Sequence, residues 1–415
     1  MSTPFKAGAG MSKSSPEEAL EEAAEDLDRI DVVLCAFSPR HDPHEVREAL
    51  VEYLNYDCLI LGLSSAGNIT TDGFSDGSVA ILAMELSKLM AFGMAIGTGL
   101  SKDPYRVARE TVARAVRSVK VDVSASLAPV ATGLVTGNMD VVRHSLVDVL
   151  LFADGLCCFN SPEASMGVLN GVMDCLGTVP RIVGGMTADE YEFEHTYVFD
   201  NSGVYEDALA VLVLYSSVKR GHAVDHGFVP LSDPMIVEIE GVDVIEMNGE
   251  PALDVYVDIV GEKPEMETLL KHPLGIMDPG PRPYYLVRTP IDADVERRAM
   301  RLVSPLPNSV AARIMEPGDV EGSFKIAVQR ALEDAGSPKE LGVVFVFNCA
   351  ARHLIVDTDD AVRLLRDLVG EDVTIFGFNC FGEYGLTPSG KLVQHNQTVA
   401  TYVLGSEVVS RSKSA

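Results

Sequence analysis

Residues 373–404 read VTIFGFNCFGEYGLTPSGKLVQHNQTVATYVL, and this stretch decides the fold. VTIF is a short apolar run, which predicts a buried strand, and TVATYVL predicts a second one. Between them GFNCFGE is a tight turn of small and polar groups, followed by a loop. Gly377 and Gly382 flank Asn379, Cys380 and Glu383, so the backbone there is free to take angles that other residues avoid. A polar cluster just past the C-terminal end of a buried strand is where α/β folds tend to place ligands.

The arrangement occurs twice earlier, in CLILGLSSAGNITTDGFSDGSVAILAM from Cys58 and in RIVGGMTADEYEFEHTYVFDNSGVYEDALAVLVLY from Arg181. Each copy is preceded by another apolar strand: VVLCAFS from Val32, VLLFADG from Val149 and VVFVFNC from Val343. The intervening helices are HEVREALVEYL, SMGVLNGVMDCL and DDAVRLLRDLV. A further helix lies upstream of each unit: PEEALEEAAEDLDRI, YRVARETVARAV and GSFKIAVQRALEDA. The pattern predicts an α/β protein of mixed-sheet, layered architecture with three related α-β-α-β-β units.

Residues 1–14 read as a flexible tail. Ser15-Pro16-Glu17-Glu18 is a helix start, with Ser at the N-cap and Pro in the first turn. Asp103-Pro104 opens another helix, and the stretch from Ser118 to Asp148 is less regular. Residues 222–320 are strand-rich and do not repeat. They begin with a hairpin over Met235 to Gly249 that turns at Gly241, and a helix runs from Pro251 to Val260. Tyr284 to Arg288 is a strand, and a second hairpin spans Arg301 to Met315. The domains expected are therefore 15–221 and 222–415.

Composition excludes several classes. Against 33 basic residues stand 61 acidic ones, a formal charge of −28, which repels nucleic acid and anionic lipid. No apolar run approaches the roughly 20 residues that span a bilayer. The N-terminus has no apolar signal-peptide core, so the expected location is cytoplasmic. Seven cysteines without a CxxC read as buried free thiols.

Two turns carry the chemistry. Asn348-Cys349-Ala350-Ala351-Arg352-His353 follows VVFVF, and Asn379-Cys380-Phe381-Gly382-Glu383 follows VTIF. If the strands are neighbours, Arg352, Glu383 and two thiols meet. An arginine fork grips a carboxylate and a carboxylate grips an ammonium, which suits an amino acid. An internal Arg352–Glu383 salt bridge accounts for the same spacing equally well. A nucleophilic Cys349 or Cys380 would need His353 or His395 as its base. The pairs His41/His44, Cys349/His353 and His222/His226 lack a complete metal-ligand set.

At these residues the chain resembles the FIST family of prokaryotic sensory domains. FNCAARHLI and IFGFNCFGEYG…HNQT carry the likeness most specifically, with EMNGEPALDVY, HPLGI and YYLVR in support. The resemblance implies a signal-input module that binds small molecules such as amino acids. Some relatives bind haem and report nitric oxide to a histidine kinase or a cyclic-di-GMP enzyme. Cys349, Arg352, Cys380, Gly382, Glu383 and Thr398 lie on family motif positions, and His272 and Arg288 on others; with Asn379 in the same turn, the expected ligand contacts are Cys349, Arg352, Asn379, Cys380, Gly382, Glu383, Thr398 and Arg288. No kinase, GGDEF or methyl-accepting segment is visible, so the expected partner is a separately encoded signalling protein. A haem sensor, a cysteine-dependent enzyme and a scaffold remain as alternatives.

Overall fold

The computed structural model of the chain describes residues 4–55, 58–119, 135, 147–177 and 180–408; most of the stretch expected to be irregular, Ser118 to Asp148, falls outside them. The protein is mixed α/β. Three six-stranded sheets share one order of neighbours. The first runs Phe5–Ser12, Val79–Leu86, Val32–Phe37, Leu59–Ser64, Val198–Asp200, Val204–Tyr205. The second runs Met90–Thr98, Ala208–Ser216, Val147–Ala153, Arg181–Gly185, Glu383–Leu386, Leu392–His395. The third runs Val218–Asp225, Val399–Val408, Leu341–Cys349, Thr374–Cys380, Asn68–Thr70, Gly73–Ser75. In each sheet the third and fourth strands are parallel and every other pair is antiparallel.

The last two strands of each sheet come from a different stretch of chain. The hairpin at 68–75 leaves the first sheet to complete the third, 198–205 leaves the second to complete the first, and 383–395 leaves the third to complete the second. In sequence these segments read as loops, because each pairs only with strands of another unit.

The strands are apolar on both faces because both are covered. Alternate residues go opposite ways along each strand. Val33, Cys35 and Phe37 pack with Leu20 and Leu50 of the helices Pro16–Ala24 and Pro43–Leu54. Val149 and Leu151 meet Val112 and Val172 of Pro104–Ser118 and Pro162–Leu176. Val344 and Val346 meet Phe324 and Leu365 of Ser323–Asp334 and Thr358–Val369. The residues between them turn inward. Leu34, Leu61, Leu150, Phe152, Leu212, Phe345, Phe347, Phe376 and Tyr402 form one core fed by all three sheets. Asp148, fully buried, accepts from the Tyr402 hydroxyl at 2.7 Å and from the Arg220 guanidinium, tying the second sheet to the third.

The strand-rich region between the second and third units is a nine-stranded sheet with its own core around Val237, Val244, Tyr256, Met300 and Ile314. Its first hairpin turns at Gly241 as expected, pairing Met235–Glu240 with Asp243–Met247. The expected hairpin from Arg301 to Met315 does not form. Ala299–Leu302 pairs with Pro290–Asp294 and Asp243–Met247, whereas Val310–Pro317 pairs with Leu274–Asp278 and Met235–Glu240. The expected tail is also corrected: Phe5–Ser12 is an edge strand paired residue for residue with Val79–Leu86. No helix among the described residues is long and apolar enough to cross a membrane.

Candidate functional site

Each sheet's second parallel strand runs into a turn, and the three turns meet. Ala66 N–H donates to Asn379 O at 2.9 Å, and Asn379 N–H to Gly67 O at 2.8 Å. Ala188 N–H donates to Ser64 O at 3.0 Å, and Met186 N–H to Gly382 O at 2.8 Å. The turns are thus laced together by backbone hydrogen bonds at the centre of the molecule. Leu341–Cys349 and Thr374–Cys380 are parallel neighbours in register, with Cys349 opposite Cys380. The convergence expected from sequence is therefore present.

Gly377 serves a different purpose from the one expected. A Cβ there would lie 1.9 Å from the Val346 carbonyl oxygen, so its need is close strand approach rather than unusual backbone angles. Gly382 sits in the turn itself, its carbonyl held by Met186.

Arg352 is wholly buried and directed inward. Its Nε donates to Asn348 Oδ1 at 2.8 Å. Nη1 donates to His226 O at 2.8 Å and Gln397 O at 3.3 Å. Nη2 donates to Val320 O at 2.8 Å and Ser323 Oγ at 2.6 Å. A guanidinium has five N–H donors, and all five are taken by protein acceptors. The bidentate grip on a ligand carboxylate expected from sequence has no donor left to make it.

Glu383 is equally buried. Its Oε1 accepts from Cys380 Sγ at 3.4 Å, and its Oε2 has no hydrogen-bond partner. Burial raises this carboxyl well above its ordinary range, against the opposing pull of the thiols and Arg352. Burial likewise pushes the Cys349 and Cys380 thiols up. Burial thus favours the protonated form of all three groups. Asn379 Oδ1 accepts from Asn348 Nδ2 at 2.7 Å, the same Asn348 whose Oδ1 accepts from Arg352. Thr398 contributes its carbonyl to Cys349 N–H at 3.0 Å and its hydroxyl to Asn396 O at 2.9 Å.

Arg288 stands apart from the thiols. It donates to Pro305 O, Val287 O and Gln394 O, which fastens the inserted sheet to the 383–395 hairpin. Burial without a carboxylate partner lowers it to about 10. Neither histidine proposed as a base reaches a thiol. His353 Nδ1 bonds Thr358 Oγ1 at 2.9 Å, and His395 bonds Tyr284 OH at 3.0 Å and Gly385 O at 3.3 Å.

In front of the cluster lies a cavity of about 540 Å³. Cys349, Ala350, Ala351, Cys380 and Phe381 form one side and Leu354 extends it. Phe159, Tyr191 and Phe193 come from the second unit, and Met266, Leu270, Thr289, Ile291 and Val303 from the inserted sheet and its helices. Asn396 completes the wall. Phe193 stacks on Phe381, with ring centroids 5.0 Å apart and planes at 12°, and lies tilted against Phe159 at 5.2 Å. Large apolar side chains remain exposed here: Phe193 at 47%, Met266 at 52% and Leu354 at 53%.

Sequence reasoning missed most of this wall. A signal was present in EYEFEH, where two aromatics interleave with acidic residues. Glu190, Tyr191 and Phe193 all take positive φ, a conformation that non-glycine residues seldom adopt outside constrained loops. The loop is pinned by Asp189 Oδ2, which accepts from Glu194 N–H at 2.7 Å, and by Tyr191 OH donating to Ala350 O at 2.9 Å.

Two family models match the chain: the FIST N domain over residues 31–250 and the FIST C domain over 252–386. The chain belongs to the FIST family. FIST domains are associated with small-ligand-binding signalling sensors. Two uncharacterized proteins of Mycobacterium tuberculosis are each 26% identical to this FIST protein over 216 residues: MT0656 of strain CDC 1551 / Oshkosh and Rv0628c of strain ATCC 25618 / H37Rv. The match takes in 49% of this chain and 56% of theirs, so the chain spans about half the length of the curated relatives it matches. Among solved structures, cyanuric acid hydrolase from A. caulinodans aligns over 97% of this chain and 100% of its own, at 8% identity and a TM-score of 0.40. That likeness is too weak to carry an argument.

No histidine and no cationic side chain lines the cavity. A haem needs cations for its propionates and this wall supplies none, although Cys349, Cys380, Tyr191 and Met266 on it are of axial-donor type. Among the described residues no cluster of three or more His, Cys, Asp or Glu could hold a metal ion.

Proposed function

We propose that this protein is the signal-input component of a small-molecule sensor and that its ligand occupies the cavity in front of Cys349 and Cys380. The observation that supports this most directly is an apolar, aromatic-walled cavity of about 540 Å³. Ligand pockets have this size and character, with a few placed polar groups to orient the guest. Thr289 and Asn396 stand on this wall, each 2% exposed, with Oγ1 and Oδ1 unpartnered and enclosed by protein.

An amino-acid ligand is the less favoured occupant. A zwitterion needs a cation and an anion facing it, and Arg352 and Glu383 both lie behind the wall, the first fully engaged. A small, largely apolar metabolite suits the lining better. Such a ligand would touch the inserted sheet through Thr289 and Ile291 and the central turns through Ala350 and Phe381. It would thereby favour whichever arrangement of the two closes on it. A partner such as a histidine kinase would read that shift.

The test compares native mass spectra of the wild-type protein and Ala351→Phe after exposure to a small-molecule panel. Ala351 lines the cavity, and a phenyl ring there intrudes on it. The expected result is a stoichiometric adduct on the wild type that is lost in the variant while its unfolding midpoint is kept. An adduct that survives in Ala351→Phe would place the ligand elsewhere and sink the reading.

A further inference from the structure

We infer that the mouth of the cavity is a docking face for a partner protein, which presents there a basic amphipathic segment, apolar side chains set between lysines or arginines. The purpose of the face rests on the sensor reading above, because a partner seated there lies directly over the guest. Its chemistry rests on the rim alone.

Three large apolar side chains stand about half exposed at this one opening: Phe193, Met266 and Leu354. They come from separate parts of the chain. Phe193 is on the crossing from Arg181–Gly185 to Val198–Asp200, Met266 opens the helix Met266–Lys271, and Leu354 closes the short helix Ala350–His353. Single exposed apolar residues are ordinary on a protein surface, whereas several gathered around one concavity mark an interaction site. The outward setting of Phe193 belongs to the loop itself, since its φ is 57° and Tyr191 is anchored inward through its hydroxyl.

Charge selects the partner. Glu192 and Glu194 flank Phe193, Glu265 and Glu267 flank Met266, and all four are exposed. Segments 189–194 and 262–267 together hold seven acidic residues and one basic residue, Lys263. Glu267 pairs with Lys271, whereas the carboxylates of Glu192, Glu194 and Glu265 have no ion pair or hydrogen bond among the described residues. Nucleic acid and anionic lipid carry the wrong sign for this rim, and a second copy of the chain would set glutamates against glutamates. A basic protein segment answers both features at once. Its apolar side chains cover the three exposed ones, and its cations meet the carboxylates around them.

The experiment measures binding of two synthetic helical peptides to the full chain by fluorescence anisotropy. The first combines lysine with leucine at positions i, i+3, i+4 and i+7, and the second replaces every leucine by serine. Salt is held at about 0.15 M, where charges act over roughly 8 Å. The leucine–lysine peptide is expected to bind about tenfold or more tightly than the serine–lysine one. Combined Glu192→Lys, Glu194→Lys and Glu265→Lys should weaken it about tenfold or more. Combined Glu21→Lys, Glu48→Lys and Glu52→Lys makes the same change in net charge at exposed sites of the first unit, none of whose residues lines the cavity. That control should weaken it less than about threefold. Phe193→Ser should weaken it about tenfold through loss of the aromatic anchor.

No binding of the leucine–lysine peptide overturns the inference. So does equal binding of the two peptides, or equal loss in the two charge-reversed sets, because the attraction is then to the acidic surface as a whole. Phosphatidylcholine vesicles are expected not to sediment the protein. If they do and the peptide does not bind, the face belongs to a membrane and the inference fails. None of these arms uses a small molecule. A guest displaced by Ala351→Phe with no peptide bound would leave the sensor reading standing without this face, and peptide binding with no guest would do the reverse.

Discussion

Replacing Arg352 by Met should damage the fold far more than it damages ligand recognition. The change removes a fully buried guanidinium and leaves five acceptors behind: His226 O, Gln397 O, Val320 O, Asn348 Oδ1 and Ser323 Oγ. These belong to the segment after Val218–Asp225, the turn before the last strand, the start of Ser323–Asp334 and the end of Leu341–Cys349. Hydrogen bonds to charged groups contribute about 1.5–3 kcal/mol each. Five of them would sum to about 7–15 kcal/mol, comparable to a typical domain's whole margin of roughly 5–15 kcal/mol. Relaxation and entering water reduce that, and removal of one partner from a buried charged network costs about 3–5 kcal/mol in practice. Arg352→Lys retains three donors of five and should lose about half as much.

Urea titration gives the order wild type, Lys, Met in midpoint at similar slope. Ligand affinity measured on the folded fraction should change less than about threefold, since Arg352 does not line the cavity. A Met variant within about 1 kcal/mol of wild type would refute the staple. So would a large affinity loss at unchanged stability, which would mean that the side chain reaches the ligand after all.

Three further outcomes are expected. Burial pushes His226 down to about 4 and His395 down to about 3, so on acidification the unfolded chain takes protons first, and stability should fall as pH drops from about 6.5 toward 4. Glu383, raised in the fold, acts with the opposite sign above about pH 4.5, so the comparison is with His226→Asn, which keeps an acceptor for Phe228 N–H and should flatten the acid limb; an unchanged limb contradicts the assignment. Removal of residues 1–14 should destabilise the protein, and Phe5→Ala alone should cost about 3 kcal/mol because Phe5 is buried in the central core; a neutral truncation would restore the reading of a tail. Gly377→Ala and Gly184→Ala should each be destabilising by several kcal/mol or abolish soluble expression, since a Cβ would meet the backbone oxygens of Val346 and Leu151 at 1.9 and 2.0 Å.

The legible parts of this fold were those where burial writes itself into composition. VVLCAF, VLLFA and VVFVF are covered on both faces, so they read as unbroken apolar runs, and the helices between them carry plain caps at Ser15, Asp42 and Asp103. FKAGAGMS was unreadable for the opposite reason. Gly8 and Gly10 lie under the helix Pro16–Ala24, where a Cβ on either would strike the Ala23 or Ala19 carbonyl at 2.3 Å. Small residues permit close packing there, yet in sequence they resemble a linker. The exchanged strands NIT, VFD and EYGL are short, and their partners lie in other units, so no local pattern announces them. The site shows the same split. Cys349, Cys380 and Glu383 could be brought together from the strand pairing alone. Whether Arg352 faces inward or outward depends on five acceptors scattered from His226 to Gln397, and the cavity depends on Met266, Leu270, Thr289 and Ile291, which enter from the inserted sheet.

The exchange of hairpins also gives the cavity mechanical reach. Phe381 sits on the crossing from Thr374–Cys380 in the third sheet to Glu383–Leu386 in the second. Phe193 sits on the crossing from Arg181–Gly185 in the second sheet to Val198–Asp200 in the first. The two rings are stacked, so a guest that moves one moves both crossings. The remaining crossing, through Ser65 to Gly67, places no side chain on the cavity wall. Ligand binding should therefore slow hydrogen exchange in the hairpins at 198–205 and 383–395 and leave that at 68–75 little changed. Equal protection of all three hairpins would mean that the signal spreads through the common core, and protection confined to the inserted sheet would mean that the central turns do not take part.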